Sequence, residues 1–212
     1  KIFVCFIGSG SARNVCQKMQ MQVESRGNKG EKMSLVIAAI SKDNDIIVCG
    51  DSRIVDKNGN IVTENENKIY QISDRVVIAY AGSKGNFENL KLYLEIKSLI
   101  LDINDVESVY EDILEHENNQ KHQEAIELLI CGFDKDNIPR LFFIYSQIQK
   151  YDRELTRVRY FYIGNTNRTI DINIELNTSD IINYMENEIS KESKENITVN
   201  DVINSIILPC EN

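Results

Sequence analysis

Two short apolar segments separated by a polar turn constrain the fold of this chain more than any other feature. Residues 34–40 and 46–49 are rich in isoleucine, valine and alanine, and residues 41–45 between them have the composition of a tight turn. Apolar runs of this length, bounded by turn residues, are typical of buried strands. The sequence therefore predicts a buried antiparallel hairpin over residues 34–49.

The remaining pattern separates strands from helices along the chain. Further strands are predicted over residues 68–72, 75–81, 125–133, 140–145 and 157–163, and helices over residues 87–100, 106–116, 181–189 and 202–208. The order of four strands, two helices, two to three strands and two helices is typical of an α+β domain rather than of alternating βαβ units. We expect the hairpins to form two stacked sheets with the helices outside them.

A change in charge divides the chain near residue 32. Residues 1–32 carry a net charge of +4, whereas the remainder carries −13. Such a break marks a boundary between unlike segments. Residues 29–32, directly before Met33, are also compatible with a purine-rich ribosome-binding site that has been translated. We predict that residues 1–32 are an upstream arm, foreign or propeptide-like, and that residues 33–212 form the domain. For residues 2–8, the alternatives are the core of a signal peptide, a short strand or part of a disordered arm.

Composition excludes several classes of function. The net charge of −9 argues against a nucleic-acid-binding surface, and no apolar run approaches the ~20 residues of a membrane helix. The two histidines, His116 and His122, lie in a polar helix and loop, which argues against a Cys–His nucleophile and a zinc site. Scattered cysteines without a CxxC pair indicate free thiols in a reducing cytoplasm; they are Cys5, Cys16, Cys49, Cys131 and Cys210.

Five short motifs follow one another along the chain. They are G-D-S-R at residues 50–53, N-K-I at 67–69, A-Y-A-G at 79–82, C-G-F-D with P-R-L-F-F-I within 131–144, and Y-I-G-N-T-N at 162–167. In this order and near these spacings they resemble the motifs of the proteasome-type N-terminal-nucleophile (Ntn) hydrolases, the family of proteasome beta-subunits and bacterial HslV-like peptidases. The resemblance covers about residues 34–208. It implies a four-layer α/β/β/α sandwich of two antiparallel sheets flanked by helices, and we expect the family's C-terminal strands to be missing here.

The resemblance also assigns roles to individual residues. An N-terminal nucleophile requires a hydroxyl or thiol on the first residue, an α-amine as base, a lysine, a carboxylate and a backbone N–H for the oxyanion. The resemblance makes Ser34 the nucleophile, Lys68 the activating lysine, Asp51 the partner of that lysine and Gly82 the oxyanion donor.

Departures from the family pattern affect the nucleophile and one of two supporting residues. The family usually has threonine where Ser34 stands, and a slip of one residue would bring Leu35, which is inert, to that position. Removal of Met33 would give Ser34 a free amine. Arg53 belongs to the aspartate motif as a supporting residue, and Asn165 replaces a family serine, for which we expect a hydrogen-bonding role.

The predicted function is that of a cytoplasmic endopeptidase of threonine/serine type without metal or organic cofactor. The resemblance implies peptide or protein substrates, a homo-oligomeric ring and an ATPase unfoldase as partner. One alternative is a catalytically inactive structural or binding subunit, which is favoured if residues 1–32 are retained, unless the chain cleaves itself before Ser34. Another is an Ntn amidase that acts on small amides.

Overall fold

A computed structural model describes residues 2–6, 15–19, 34–56, 58, 60–120, 125–146, 151–154, 160–164, 172, 175–196 and 204–210. Within these ranges lie three helices: α1 (Lys84–Lys97), α2 (Val106–Asn119) and α3 (Thr178–Asn196). The strands of the same ranges are β1 (Ile2–Phe6), β2 (Val15–Met19), β3 (Leu35–Ile40), β4 (Ile46–Gly50), β5 (Ile54–Val55), β6 (Ile61–Thr63), β7 (Ile69–Gln71), β8 (Val76–Gly82), β9 (Ile126–Phe133), β10 (Pro139–Ser146), β11 (Tyr151–Glu154), β12 (Tyr160–Gly164) and β13 (Asn204–Leu208). None of the three helices is long and apolar enough to cross a membrane.

The predicted hairpin of β3 and β4 lies inside a six-stranded sheet with the order β12-β3-β4-β13-β1-β2. Neighbouring strands are antiparallel except for the parallel pair of β13 and β1. The hairpin turn is closed by the Ser41 hydroxyl, which accepts hydrogen bonds from the backbone N–H groups of Asp43 and Asp45. The prediction of a hairpin at this position is confirmed, whereas the relation of residues 1–32 to the domain stays a prediction.

The second sheet has five antiparallel strands in the order β11-β10-β9-β8-β7, and β5 pairs with β6 in a separate ribbon. Alternate residues of β3 and β8 form one apolar cluster, so one face of each sheet packs against the other. The members contributed by these two strands are Val36, Ala38, Ile40, Val77, Ala79 and Ala81. The result is a common core between the sheets.

The opposite face of each sheet is covered by helices. On β3, the intervening residues Leu35, Ile37 and Ala39 cluster with the apolar face of α3, and on β8 the intervening residues cluster with α1 and α2. Both α1 and α2 begin at an N-cap side chain, Ser83 and Asp105 respectively, that accepts a backbone N–H of the first turn. The described residues therefore form a mixed α/β structure of largely antiparallel sheets and three helices.

The end of the described chain corrects one prediction. The helix predicted over residues 202–208 is wrong, because Asn204–Leu208 is strand β13, antiparallel to β4. One strand thus follows α3, where the family's C-terminal strands were expected to be missing. Ile206 and Leu208 face the core between the sheets, whereas Ile207 faces α3. From sequence alone, such a short apolar run is compatible with a strand and with a helix. It forms a strand here because it pairs with β4.

Candidate active site

Three of the predicted site residues meet where β3 begins, β4 ends and β7 begins. The Lys68 Nζ donates a hydrogen bond to the Ser34 Oγ at 3.0 Å and forms an ion pair with the Asp51 Oδ1 at 2.6 Å. Lys68 is separated from Ser34 by 34 residues and from Asp51 by 17, so the contacts depend on the tertiary fold. One ammonium group thus joins a hydroxyl to a carboxylate.

Backbone hydrogen bonds fix the carboxylate of this group. Asp51 Oδ1 accepts the N–H of Leu35 at 2.8 Å, and its Oδ2 accepts the N–H of Arg53 at 3.1 Å. In return, the Asp51 N–H donates to the carbonyl of Leu35 at 3.0 Å. Lys68 is only 1% exposed and Asp51 7%, so the ion pair is held in a site of low dielectric with few alternative geometries.

The geometry distinguishes Ser34 from its neighbour Leu35. Successive side chains of a strand point to opposite faces. Leu35 packs in the cluster that contacts α3, and is 2% exposed. Ser34 lies half-buried with its hydroxyl on Lys68. The residue brought to the lysine is therefore Ser34, and the one-residue slip to Leu35 has no support in the fold.

Gly82, at the end of β8, lies in the wall of the same cavity as Ser34. Its φ of +98° is in the region that favours glycine, and a Cβ there would lie 2.5 Å from the Ala125 carbonyl oxygen. The neighbouring Ser83 N–H donates to that same carbonyl at 3.0 Å. Gly82 is therefore placed by close packing of β8 against the start of β9, and its role as oxyanion donor stays a prediction.

A second glycine, which the sequence did not single out as a site residue, contacts the proposed nucleophile. Gly164, at the end of β12, has a φ of +108°, and a Cβ there would lie only 1.7 Å from the carbonyl oxygen of Ser34. Its N–H donates to the Glu127 Oε2 at 2.6 Å. The signal for Glu127 was present in the sequence as a carboxylate inside an otherwise apolar strand.

The cavity beside these residues has a volume of about 830 Å³, within the usual range of ligand-binding clefts. Ser34, Lys68, Gly82, Glu127 and Gly164 all contribute to its lining. A hydroxyl, its neighbouring ammonium and a glycine backbone thus line one cavity.

The sequence was also compared with known proteins. A family model described as "Proteasome subunit" matches residues 32–152, more than half of the chain. The chain belongs to the proteasome subunit family. This confirms the family that the motifs predicted, and the antiparallel sheets and three helices are consistent with the proteasome fold. No curated protein matches the sequence.

The match to the proteasome family includes five of the six predicted site residues, Arg53 among them. Arg53 is 6% exposed and contacts Asp51 through its backbone N–H. It therefore supports the carboxylate through the main chain. Asn165 lies outside the described residues, so its expected hydrogen-bonding role stays a prediction.

Tyr80, which is almost fully buried, also lines the cavity beside Ser34. Its ring stacks on Phe87 with centroids 4.0 Å apart, and its hydroxyl lies 3.5 Å from the Glu66 Oε1. Burial, followed by the negative charge of Glu66, raises the pKa of Tyr80 well above its usual range. The phenol therefore stays protonated at neutral pH.

Within the described ranges, His, Cys, Asp and Glu side chains form no group of three that could hold a metal ion.

Proposed function

We propose that this proteasome-family protein is an N-terminal-nucleophile endopeptidase of threonine/serine type, with Ser34 as nucleophile. The observation that carries the proposal is the position of the Lys68 ammonium, within hydrogen-bond distance of both the Ser34 hydroxyl and the Asp51 carboxylate. A cation fixed against a hydroxyl stabilises the alkoxide that must form during attack. Members of the proteasome family are generally hydrolases, which supports the same reaction here.

The proposed reaction begins with attack of the Ser34 Oγ on a peptide carbonyl carbon. The hydroxyl proton passes to the free α-amine of Ser34, because an α-amine titrates near neutral pH and can act as base. The Gly82 N–H stabilises the oxyanion, and the α-ammonium returns the proton to the leaving amine as the C–N bond breaks. Water then hydrolyses the ester, releasing the carboxylic acid product and restoring the Ser34 hydroxyl.

This reaction requires Ser34 to be the first residue of the active protein. We propose that the mature chain begins there, with residues 1–32 belonging to an upstream arm. The family match supports the boundary because it begins at residue 32. We further propose the four-layer α/β/β/α arrangement, supported by the apolar clusters on both faces of β3 and of β8.

The alternative is a catalytically inactive proteasome-family subunit with a structural or binding role. One observation favours it: in the sequence as given, Met33 precedes Ser34, so the Ser34 nitrogen is part of a peptide bond. A blocked amine cannot accept the hydroxyl proton. The state of this single bond therefore separates the two functions.

The test combines the N-terminus of the protein with its activity. We expect N-terminal sequencing and intact mass of the protein produced from its native gene to give a chain that begins at Ser34. Ser34→Ala should reduce cleavage of fluorogenic peptides by at least about a thousandfold, because removal of a nucleophile eliminates the covalent route. Ser34→Thr should retain activity, and Ser179→Ala, at an exposed position on α3, should match the wild type. Full activity of Ser34→Ala would refute the proposal.

Assembly is the second part of the proposed function. Proteasome-family members typically form oligomeric rings. We propose that this protein forms a homo-oligomeric ring in the cytoplasm, with an ATPase unfoldase as partner for protein substrates. A ridge of four aliphatic side chains on and after α1 supports contact with a second copy. They are 59 to 85% exposed, a large apolar surface for a monomer, and comprise Leu92, Ile96, Leu99 and Ile100.

Charging this α1 ridge should reduce assembly without unfolding the subunit. We expect Leu92→Lys combined with Ile96→Lys to shift the mass distribution, measured by mass photometry, toward the monomer, because two buried cations would disfavour an apolar contact. The melting temperature should change little, since both side chains are mostly exposed. Glu95→Gln on the same helix is the control. Unchanged assembly of the double variant would exclude the α1 ridge as the contact.

A further inference from the structure

The cavity next to Ser34 contains a carboxylate that the proposed reaction does not use. Glu127 lies on β9, where the other residues are apolar or glycine and are buried. Its Oε2 accepts the Gly164 N–H at 2.6 Å, and the half-buried side chain lines the cavity. A carboxylate has two acceptor oxygens, and this hydrogen bond uses one of them. Among the described residues, none donates a hydrogen bond to the other oxygen, which can therefore accept one from a group that enters the cavity.

The positive charges of the cavity lining are matched by other carboxylates. Lys68 pairs with Asp51, and Lys84 pairs with Glu66. In the part of the chain that the structure describes, Glu127 forms an ion pair with neither of these lysines nor with another cation. Its charge is therefore uncompensated within the described structure, although it faces the space that a substrate would occupy.

A further carboxylate in the lining, Asp56, is engaged in its own turn. Its Oδ1 accepts the backbone N–H groups of Asn58 and Asn60, and its Oδ2 accepts the side-chain amide of Asn60. Both oxygens are thus already used. This difference makes Glu127 the carboxylate better placed to contact a ligand.

We propose that Glu127 is a specificity-determining residue that selects peptides with a positively charged side chain near the cleaved bond. A guanidinium or ammonium group donates charge-assisted hydrogen bonds to a carboxylate, and these are stronger where solvent access is limited. The Gly164 N–H holds the carboxylate in place, so little side-chain freedom is lost on binding. The inference rests on the proposed peptidase function and adds the substrate class of the same site.

Matched peptides test this selection directly. Acetylated tripeptide aminocoumarins would carry one arginine at each position in turn, or citrulline, its neutral isostere, at the same position. For at least one position, we expect the wild type to give a kcat/KM about tenfold higher for arginine than for citrulline. Glu127→Gln keeps an oxygen that accepts the Gly164 N–H and removes the charge, so it should bring this ratio close to one. Glu111→Gln, exposed on α2, should preserve the ratio.

The outcomes distinguish a failure of the proposed specificity from a failure of the proposed peptidase function. If wild-type protein cleaves the peptides with equal kcat/KM for arginine and citrulline, or if Glu127→Gln leaves the ratio unchanged, the specificity is refuted and the peptidase function stands. If no peptide is cleaved, the peptidase function fails, and fluorescence anisotropy of the same labelled peptides measures the selection instead. Tighter binding of the arginine peptide to the wild type, lost in Glu127→Gln, would support the role of Glu127, and equal affinities would refute it.

Discussion

Lys68→Met should inactivate the protein and lower its melting temperature by about 6–12 °C. Methionine preserves the length of the side chain but removes the ammonium that contacts Ser34 and Asp51. Loss of one such electrostatic group costs at least about a hundredfold in kcat. Breaking a buried ion pair costs about 3 kcal/mol or more, and each kcal/mol lowers the melting temperature of a chain of this size by about 2–4 °C.

A second substitution distinguishes the loss of stability from the loss of catalysis. Asp51→Asn in the Lys68→Met background removes the uncompensated charge and keeps an acceptor oxygen for the Leu35 N–H. We expect differential scanning calorimetry of the double variant to show part of the lost stability restored, with no recovery of peptide cleavage. A Lys68→Met protein with wild-type activity would contradict the proposed role of the lysine. An unchanged melting temperature would contradict the buried ion pair.

Gly164→Ala should also be severely damaging, although Gly164 takes no chemical part in the proposed reaction. The added Cβ would lie 1.7 Å from the carbonyl oxygen of Ser34, so β12 or the start of β3 must move. The φ of +108° adds strain for any residue with a side chain. We expect a loss of about 2–6 kcal/mol in the free energy of unfolding, measured by urea titration. Activity should fall by at least about a hundredfold, because displacement of the nucleophile by an ångström is enough to do so.

Gly85→Ala provides the matched control for stability. Gly85 lies in the first turn of α1, and the nearest atom to an added Cβ is the Ser83 Oγ at 4.0 Å. Alanine is the better helix former by up to about 1 kcal/mol, so we expect unchanged or slightly increased stability. If Gly164→Ala were as stable as Gly85→Ala, the close contact of Gly164 with Ser34 would be refuted.

The parts of the fold that the sequence predicted well are those with strong local signals. Residues 34–49 are apolar on both faces and interrupted by turn residues, so the β3–β4 hairpin follows from composition. The contact of Ser34, Asp51 and Lys68 did not follow from spacing, because the residues lie on three separate elements. It was predicted only through the resemblance of short motifs to the proteasome family.

Other features depend on partners that are distant in sequence. Strand β13 was predicted as a helix because its short run of aliphatic residues is compatible with the repeat of a helix and with that of a strand. Pairing with β4 makes it a strand. Strand β11 was not predicted, since Y-D-R-E carries little apolar signal and becomes a strand by pairing with β10. The contact of Glu127 with Gly164 joins β9 to β12, which belong to different sheets. The position of Glu127 in β9 does not reveal which residue of the other sheet it contacts.

The two hydrogen bonds between Leu35 and Asp51 have a consequence for the proposed cleavage before Ser34. The Leu35 N–H donates to the Asp51 carboxylate and the Asp51 N–H donates to the Leu35 carbonyl, so neither hydrogen bond involves a residue before Ser34, and Lys68 reaches the serine from the start of β7. The coordinates of the hydroxyl are thus set by groups that remain after every residue before Ser34 is removed. If the chain is cleaved before Ser34 as proposed, folding can be completed first and the amine released last, so that a fully folded, inert precursor and an active enzyme would differ by a single hydrolysed bond.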